Sequence, residues 1–115
     1  MNQFSGGGQS DLLTLLKNWY ASRCDGDWEH QYGVKIDTLD NPGWIVGIDI
    51  WETELSGKSV GRFRREFSET DWLDIKITEA KFEANGDVGK LEEIIRQFLF
   101  FAQNFHLQGA FDCDA

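Results

Sequence analysis

Apolar residues recur at two different spacings along this chain, and the spacing predicts its helices and strands. Near the start, leucines and aromatics recur at helical intervals over residues 12–20, after the N-cap residue Ser10 and up to a stop near Cys24. Near the end, a wide apolar face repeats every three or four residues over 91–105. Two amphipathic helices are therefore predicted, one on each side of a central region.

In the central region, apolar and polar residues alternate, as is typical of half-buried strands. The predicted strands cover residues 32–39, 44–53, 60–67, 71–77 and 81–84. The first two are joined at Asp40-Asn41-Pro42-Gly43, a strong turn signal because Pro42 fixes φ and Gly43 can supply a positive φ. This segment therefore predicts a β-hairpin.

Two of these strands carry residues that do not fit simple alternation. Trp51 is a large aromatic residue on the side of its strand that is expected to face water. On the third strand, Phe63 and Phe67 are predicted to face inward. A basic cluster on the same strand is expected to pair with carboxylates of the preceding strands. This cluster consists of Arg62, Arg64 and Arg65.

The order of elements predicts an α+β fold. An N-terminal helix, an antiparallel meander of four to five strands and a C-terminal helix follow one another, with both helices covering one face of the sheet. The other face is expected to carry Asp37, Asp49, Trp51 and Arg64, and an uncovered face would equally serve a homodimer. At 115 residues, the chain has length for one core. Residues 10–107 are thus expected to form a single domain, between a flexible tail (1–9) and a frayed acidic tail (108–115).

The charge balance narrows the range of partners. The net charge of -9 argues against nucleic acid and against an anionic membrane surface, which would both require excess Lys and Arg. It permits a basic protein partner, although acidity also keeps small proteins soluble. No apolar run is long enough to cross a bilayer, and no secretory signal pattern begins the chain. A cytoplasmic protein with reduced Cys24 and Cys113 is expected.

Catalytic and metal-binding patterns are weak in this sequence. His30 lies beside Glu29 and near Asp25 and Asp27, but a single imidazole with crowded carboxylates matches no known ligand spacing. Neither cysteine has a neighbouring histidine, and no phosphate-binding glycine motif is present. No metal, cofactor or enzymatic activity is therefore predicted.

Several blocks of the sequence together resemble the bacterial immunity protein 53 family. The likeness spans about residues 12–105, and its most specific blocks are Gly26-Asp27-Trp28-Glu29-His30 and Asp40-Asn41-Pro42-Gly43-Trp44. It implies a non-catalytic protein that binds and neutralises a cognate toxin of a bacterial polymorphic-toxin system. Many such toxins are nucleases with basic clefts, and an acidic inhibitor is compatible with such a partner.

The expected toxin-binding surface is the acidic and aromatic set around the second strand, with Trp51 as its anchor. The set consists of Asp37, Asp49, Trp51, Glu52 and Glu54. A second set is expected either to contact the toxin or to hold the hairpin in place. Its members are Asp27, Trp28, Glu29, His30, Asn41 and Trp44. The alternative function is a small-ligand-binding protein or an enzyme with a pocket around residues 25–30.

Overall fold

The helices and strands follow the predicted order. A computed structural model describes residues 9–58 and 61–107. The elements are α1 (Gln9–Arg23), a short 3₁₀ helix (Trp28–His30), β1 (Val34–Leu39), β2 (Gly43–Asp49), β3 (Gly61–Ser68), β4 (Asp71–Ile77), β5 (Lys81–Gly86) and α2 (Leu91–Leu107). The α+β class, with a five-stranded antiparallel sheet between two helices in sequence, is confirmed.

The two expected tails fall almost entirely outside the described residues. Only Gln9 of the N-terminal tail is described, and α1 begins with it. Cys113 and the rest of the segment 108–115 also lie outside the described part of the chain. Within the described part, neither helix is both long and apolar enough to cross a membrane.

The order of strands in the sheet is β1-β2-β5-β4-β3, and all neighbours are antiparallel. The predicted hairpin is present as β1 and β2. The expectation of one continuous meander is wrong, because β5 rather than β3 lies beside β2. Strands with buried positions occupy the centre of the sheet, whereas β3, exposed at all eight of its residues, lies at the edge.

The hydrophobic core lies between one face of the sheet and the two helices. At its centre, the ring of Phe98 on α2 packs edge-on against Phe82 on β5 and Trp19 on α1, with centroid distances of 5.2 and 4.9 Å. Fully burying a Phe side chain stabilises a fold by about 1.5–3 kcal/mol relative to leaving it exposed. These three rings therefore join both helices to the sheet.

The apolar stripe of α1 is only partly buried, contrary to the broad buried stripe that its spacing predicts. Leu16 is buried and Leu12 and Trp19 are half-buried, but Leu13 and Leu15 are 54% and 50% exposed. The helix packs chiefly against α2. A helix that rests on another helix can bury one row of side chains, so the flanking leucines remain in contact with solvent.

The turn between β1 and β2 needs Gly43 for space and not for a positive φ. A Cβ atom on Gly43 would lie 2.4 Å from the backbone oxygen of Gly86 on β5, so the two strand ends approach each other where a side chain would not fit. Among the described residues that are not glycine, a positive φ occurs at Glu52 alone (62°). That residue lies in the segment after β2.

Candidate functional site

The predicted toxin-binding residues lie in two places. Asp37 on β1 and Asp49 at the end of β2 project from the sheet face opposite the helices. The residues that precede them, Ile36 and Ile48, pair with the buried Val46 and Phe82, and successive side chains in a strand point to opposite faces. The other three residues, Trp51, Glu52 and Glu54, lie in the connection after β2, here named the Trp51 loop (residues 50–58). The expectation that the second strand extends to residue 53 is wrong, because β2 ends at Asp49.

Backbone and side-chain hydrogen bonds fix the Trp51 loop. The Ile50 N–H donates to the carbonyl of Ala80, and the Thr53 N–H turns back to the carbonyl of Ile50, at 2.9 and 3.2 Å. Ile50 and Leu55 are fully buried on either side of the turn. Trp51 is nevertheless 41% exposed. The loop therefore holds an aromatic side chain at the surface between two buried anchors.

The backbone at Glu52 adopts a conformation that is unfavourable for a side chain. Its φ of 62° lies in the left-handed region, where a residue with a Cβ costs about 1–2 kcal/mol. Glu52 thus keeps a carboxylate beside Trp51 at a position where glycine would be less strained. Backbone strain of this kind tends to occur at functional sites.

The second predicted set mainly builds a scaffold, here named the Trp28 loop (residues 24–33). Both carboxylate oxygens of Glu29 accept backbone N–H groups, from Asp25 and Gly26 at 2.9 and 2.8 Å. One oxygen of Asp25 accepts the N–H groups of Trp28 and Asp27, each at 3.0 Å. These two N–H groups, that of Trp28 first, hold the pKa of Asp25 below its usual value.

Trp28 is the core of the Trp28 loop. It is only 5% exposed, and its ring contacts Trp19, Tyr20 and Tyr32 at centroid distances of 6.1, 6.2 and 5.8 Å. Its neighbours in the predicted set, Asp27 and His30, are exposed. The 3₁₀ turn therefore directs one tryptophan inward and leaves short polar groups at the surface.

Direct contacts join the two loops. The Trp28 Nε1–H donates to the backbone carbonyl of Trp51 at 3.0 Å, and the Gly33 N–H donates to Oδ2 of Asp49 at 3.0 Å. Burial, together with the nearby carboxylates of Glu52 and Asp49, raises the pKa of Tyr32. Asp49 and Glu52 thus act on the same phenol, although they belong to different elements.

An arginine of α1 already pairs with one carboxylate of the Trp51 loop. Arg23, the last residue of α1, forms an ion pair with Glu54, and its guanidinium carbon lies 5.9 Å from the centre of the Trp19 ring. The carboxylate of Glu54 is thus partly neutralised, whereas the structure shows no ion pair for Glu52 among the described residues.

Asn41 and Trp44 lie apart from the Trp51 loop, at the β1–β2 turn. Trp44 is half-buried, and its Nε1–H donates to the carbonyl of Val88 at 3.0 Å. Asn41 is exposed and lines an open cleft of about 440 Å³ with Trp72 and Arg64. The structure therefore does not bring these two residues together with Trp51.

Reasoning from the sequence missed two features, one in the Trp28 loop and one on the edge strand β3. Tyr32 is predicted only as the start of a strand, whereas β1 begins at Val34 and the Tyr32 ring packs against Trp28 at a centroid distance of 5.8 Å. Phe63 and Phe67 were predicted to be inside, but they are 50% and 69% exposed. They do lie on the helix side of β3, but the core does not extend over that edge strand.

The described residues contain no group of three or more His, Cys, Asp or Glu side chains placed to hold a metal ion. The carboxylates of the Trp28 loop serve as hydrogen-bond acceptors for its own backbone, as described above. The main feature of this surface is therefore the Trp51 loop, an acidic loop with a fixed backbone that exposes Trp51 to solvent.

The chain belongs to the immunity protein 53 family. The family model matches residues 13–103, which include both loops and all five strands. This match confirms the resemblance found in the sequence, and membership implies a toxin as the partner. Comparison with curated proteins and with solved structures gave no significant match.

Proposed function

We propose that this protein binds and neutralises, without catalysis, a cognate toxin of a bacterial polymorphic-toxin system, inside the cell that carries both. Family membership supports the class of function. The net charge of -9 suits a basic toxin, such as a nuclease with a basic cleft, because opposite charges accelerate encounter and disfavour wrong partners.

The observation that carries the proposal is the exposed, pre-positioned Trp51. Aromatic anchors surrounded by polar groups contribute most of the binding energy at many interfaces. Because Ile50 and Leu55 are buried and Trp28 donates to the backbone carbonyl of Trp51, little backbone freedom of the loop is left to lose on binding. The Trp51 loop is therefore the proposed centre of the toxin-binding surface.

Carboxylates on one side of Trp51 would provide the charge. Asp49 lies against the Trp28 loop, where it accepts the Gly33 N–H at 3.0 Å, and Glu52 follows Trp51 directly in the sequence. Glu54 is paired with Arg23, so its contribution would require exchange of that partner. Asp37 is farther away, because it pairs with Ile45, four residues before Asp49 on β2. At roughly 3.3 Å per residue, that separation is about 13 Å along the strand. We therefore place Asp37 at the margin of the surface.

The alternative function, a ligand-binding or catalytic pocket around residues 25–30, has less support. The buried Trp28 side chain fills the space beneath the loop, and the carboxylates of Asp25 and Glu29 accept hydrogen bonds from backbone N–H groups of the loop. A general base or a ligand-binding carboxylate would have to give up these bonds. His30 is exposed beside them, and no side-chain hydrogen bond joins it to another of the described residues.

The test uses the toxin domain encoded beside this gene and the double variant Trp51→Ala with Glu52→Lys. Binding measured by calorimetry should weaken by about 2 kcal/mol or more, because the anchor is lost and a steering charge is reversed. We choose Glu52 over Asp49 for the reversal, since Asp49 also accepts the Gly33 N–H. Co-expression should show a matching loss of protection against the toxin.

Two control variants carry the same chemical changes elsewhere. Val88→Ala removes an exposed apolar side chain and Glu69→Lys reverses a charge in the β3–β4 turn, and neither should change affinity. Circular dichroism and urea unfolding would check that all variants are folded. Unchanged toxin affinity in a folded double variant would contradict the proposed surface, although the family assignment would stand.

A further inference from the structure

The edge strand β3 has an unpaired side. It hydrogen-bonds to β4 along one edge, and all eight of its residues are exposed. Among the described residues, no strand lies beyond it and no loop forms backbone hydrogen bonds with it. A free edge of this length is a template for pairing with another extended segment.

A row of three side chains lies along β3 on the side that faces the helices. The guanidinium of Arg65 lies between two rings, 5.7 Å from the centre of Phe63 and 5.6 Å from that of Phe67. Phe63 and Arg65 also line an apolar groove of about 200 Å³, with Ile75 on β4 and Gln97 on α2 among its other walls. The row thus presents apolar surface beside the open edge.

The charge of β3 is opposite to that of the chain as a whole. The strand carries three arginines and one glutamate, within a chain of net charge -9. Arg62 binds Asp74 on β4 through two hydrogen bonds of 3.0 and 2.7 Å, and Arg64 contacts Glu66 at 3.2 Å. Arg65 forms no ion pair with any described residue. Its guanidinium instead rests on the faces of two aromatic rings, Phe63 and Phe67.

Charged residues on an edge strand commonly prevent unwanted pairing, and the arginines of β3 would serve that purpose. The irregularity in register between Glu66 and Ser68 would do so as well. However, Phe63 and Phe67 are half or more exposed on the same strand, and a purely protective edge gains nothing from them. The combination selects among partners: it repels basic strands, disfavours purely apolar ones that would desolvate the arginines, and attracts an acidic strand with apolar positions.

We propose that β3 pairs, edge to edge and antiparallel, with an extended acidic segment of a partner protein. The segment would place carboxylates opposite Arg62, Arg64 and Arg65 and apolar side chains opposite Phe63 and Phe67, because directly opposed residues in an antiparallel pair share a face. Read from its N-terminus, it has the pattern apolar, any, acidic, acidic, apolar, acidic.

A second copy of this chain fits the edge less well. In a symmetric antiparallel pair of β3 strands, opposed side chains share a face only if the two-fold axis passes between one residue and its own copy. Near the middle of β3, that residue is Arg64 or Arg65. Either choice places an arginine opposite its own copy, although an axis at Arg65 also sets Arg64 opposite Glu66 and Phe63 opposite Phe67. With three arginines and one glutamate on each strand, the pair keeps an excess of positive charge. Charge therefore favours an acidic partner.

This inference does not depend on the proposed toxin-binding surface. β3 lies at the opposite edge of the sheet from β1, and none of its residues belongs to the Trp51 loop or the Trp28 loop. Its test can therefore be carried out without the toxin.

The probe is a synthetic peptide with the core Val-Thr-Glu-Glu-Val-Glu flanked by threonines, titrated into the full chain and followed by NMR. The expected result is saturable binding with slower hydrogen exchange at β3 amides. Arg65→Glu, and independently Arg64→Glu, should weaken the affinity by about tenfold or more. Lys35→Glu on β1, a similar charge reversal at the other edge, should leave it within about twofold.

Several results would overturn the inference. These are no binding, equal binding of a peptide with lysines in place of the glutamates, or no effect of either arginine variant. Light scattering that shows a dimer with protected β3 amides would assign the edge to a second copy. Binding that requires removal of residues 108–115 would assign it to the chain's own end.

Discussion

The Trp28 loop and the Trp51 loop contain the same kinds of residue and use them in opposite ways. Each has a tryptophan beside carboxylates, and a hydrogen bond from Trp28 to the backbone of Trp51 joins them. In the first loop, the tryptophan is buried and Glu29 binds backbone N–H groups. In the second, the tryptophan is exposed and Glu52 has a strained backbone. An acidic, aromatic composition thus describes a scaffold in one place and a candidate contact surface in the other.

The largest expected difference between the loops is in the cost of removing each tryptophan. Trp28→Ala should lower the free energy of unfolding by about 3–5 kcal/mol, because it empties a buried site between α1 and the hairpin. Trp51→Ala should change it by about 0.5 kcal/mol or less, as for other surface positions. Urea unfolding followed by far-UV circular dichroism would measure both. Equal losses in the two variants would show that Trp51 is as structural as Trp28.

A smaller difference is expected between the two glutamates. Glu29→Ala should cost about 1 kcal/mol, since two backbone N–H groups lose their acceptor. Glu52→Gly should leave the free energy of unfolding unchanged or raise it by up to about 1 kcal/mol, because glycine tolerates the positive φ. The same unfolding assay applies. A clear loss of stability in the Glu52 variant would mean that its carboxylate also supports the fold.

The smallest effect concerns the pH dependence of stability. The backbone N–H groups of Trp28 and Asp27 hold the pKa of Asp25 below its ordinary value, so its charged form stabilises the folded state. That contribution is present above the unfolded-state pKa of about 3.9 and is lost as the pH falls through the lower folded-state value. Asp25→Asn should therefore be less stable than the wild type at pH 7, and the gap should shrink below about pH 4. A gap that stays constant with pH would exclude the charge as its cause.

Local parts of the fold could be predicted from the sequence, and pairings between distant strands could not. The helices and the β1–β2 hairpin follow from spacing and turn chemistry, which involve neighbouring residues. The insertion of β5 beside β2 depends on contacts such as Trp44 opposite Gly86, for which no local pattern exists. The exposure of Phe63 and Phe67 follows from that topology, because it leaves β3 at an edge that the core does not reach.

The candidate site was predictable by residue type but not by geometry. Trp51 was identified because it broke the alternation of its strand, yet the strand ends before it and the loop supplies its exposure. The scaffold role of Glu29 depends on the distance from its carboxylate to two N–H groups, which the sequence alone does not contain.

The position of β5 in the sheet also bears on how the chain is completed during synthesis. The β1–β2 hairpin and the β3–β4 pair can each form early, because their strands are close in sequence. β5, which joins these two pairs, is the last of the five strands to be synthesised. Its pairing with β2 closes loops of roughly 30 to 40 residues, which is slower than forming a hairpin. Until β5 and α2 have left the ribosome, β2 and β4 are both edges with bare apolar faces. The nascent chain therefore depends on its final third to cover the strands made before it.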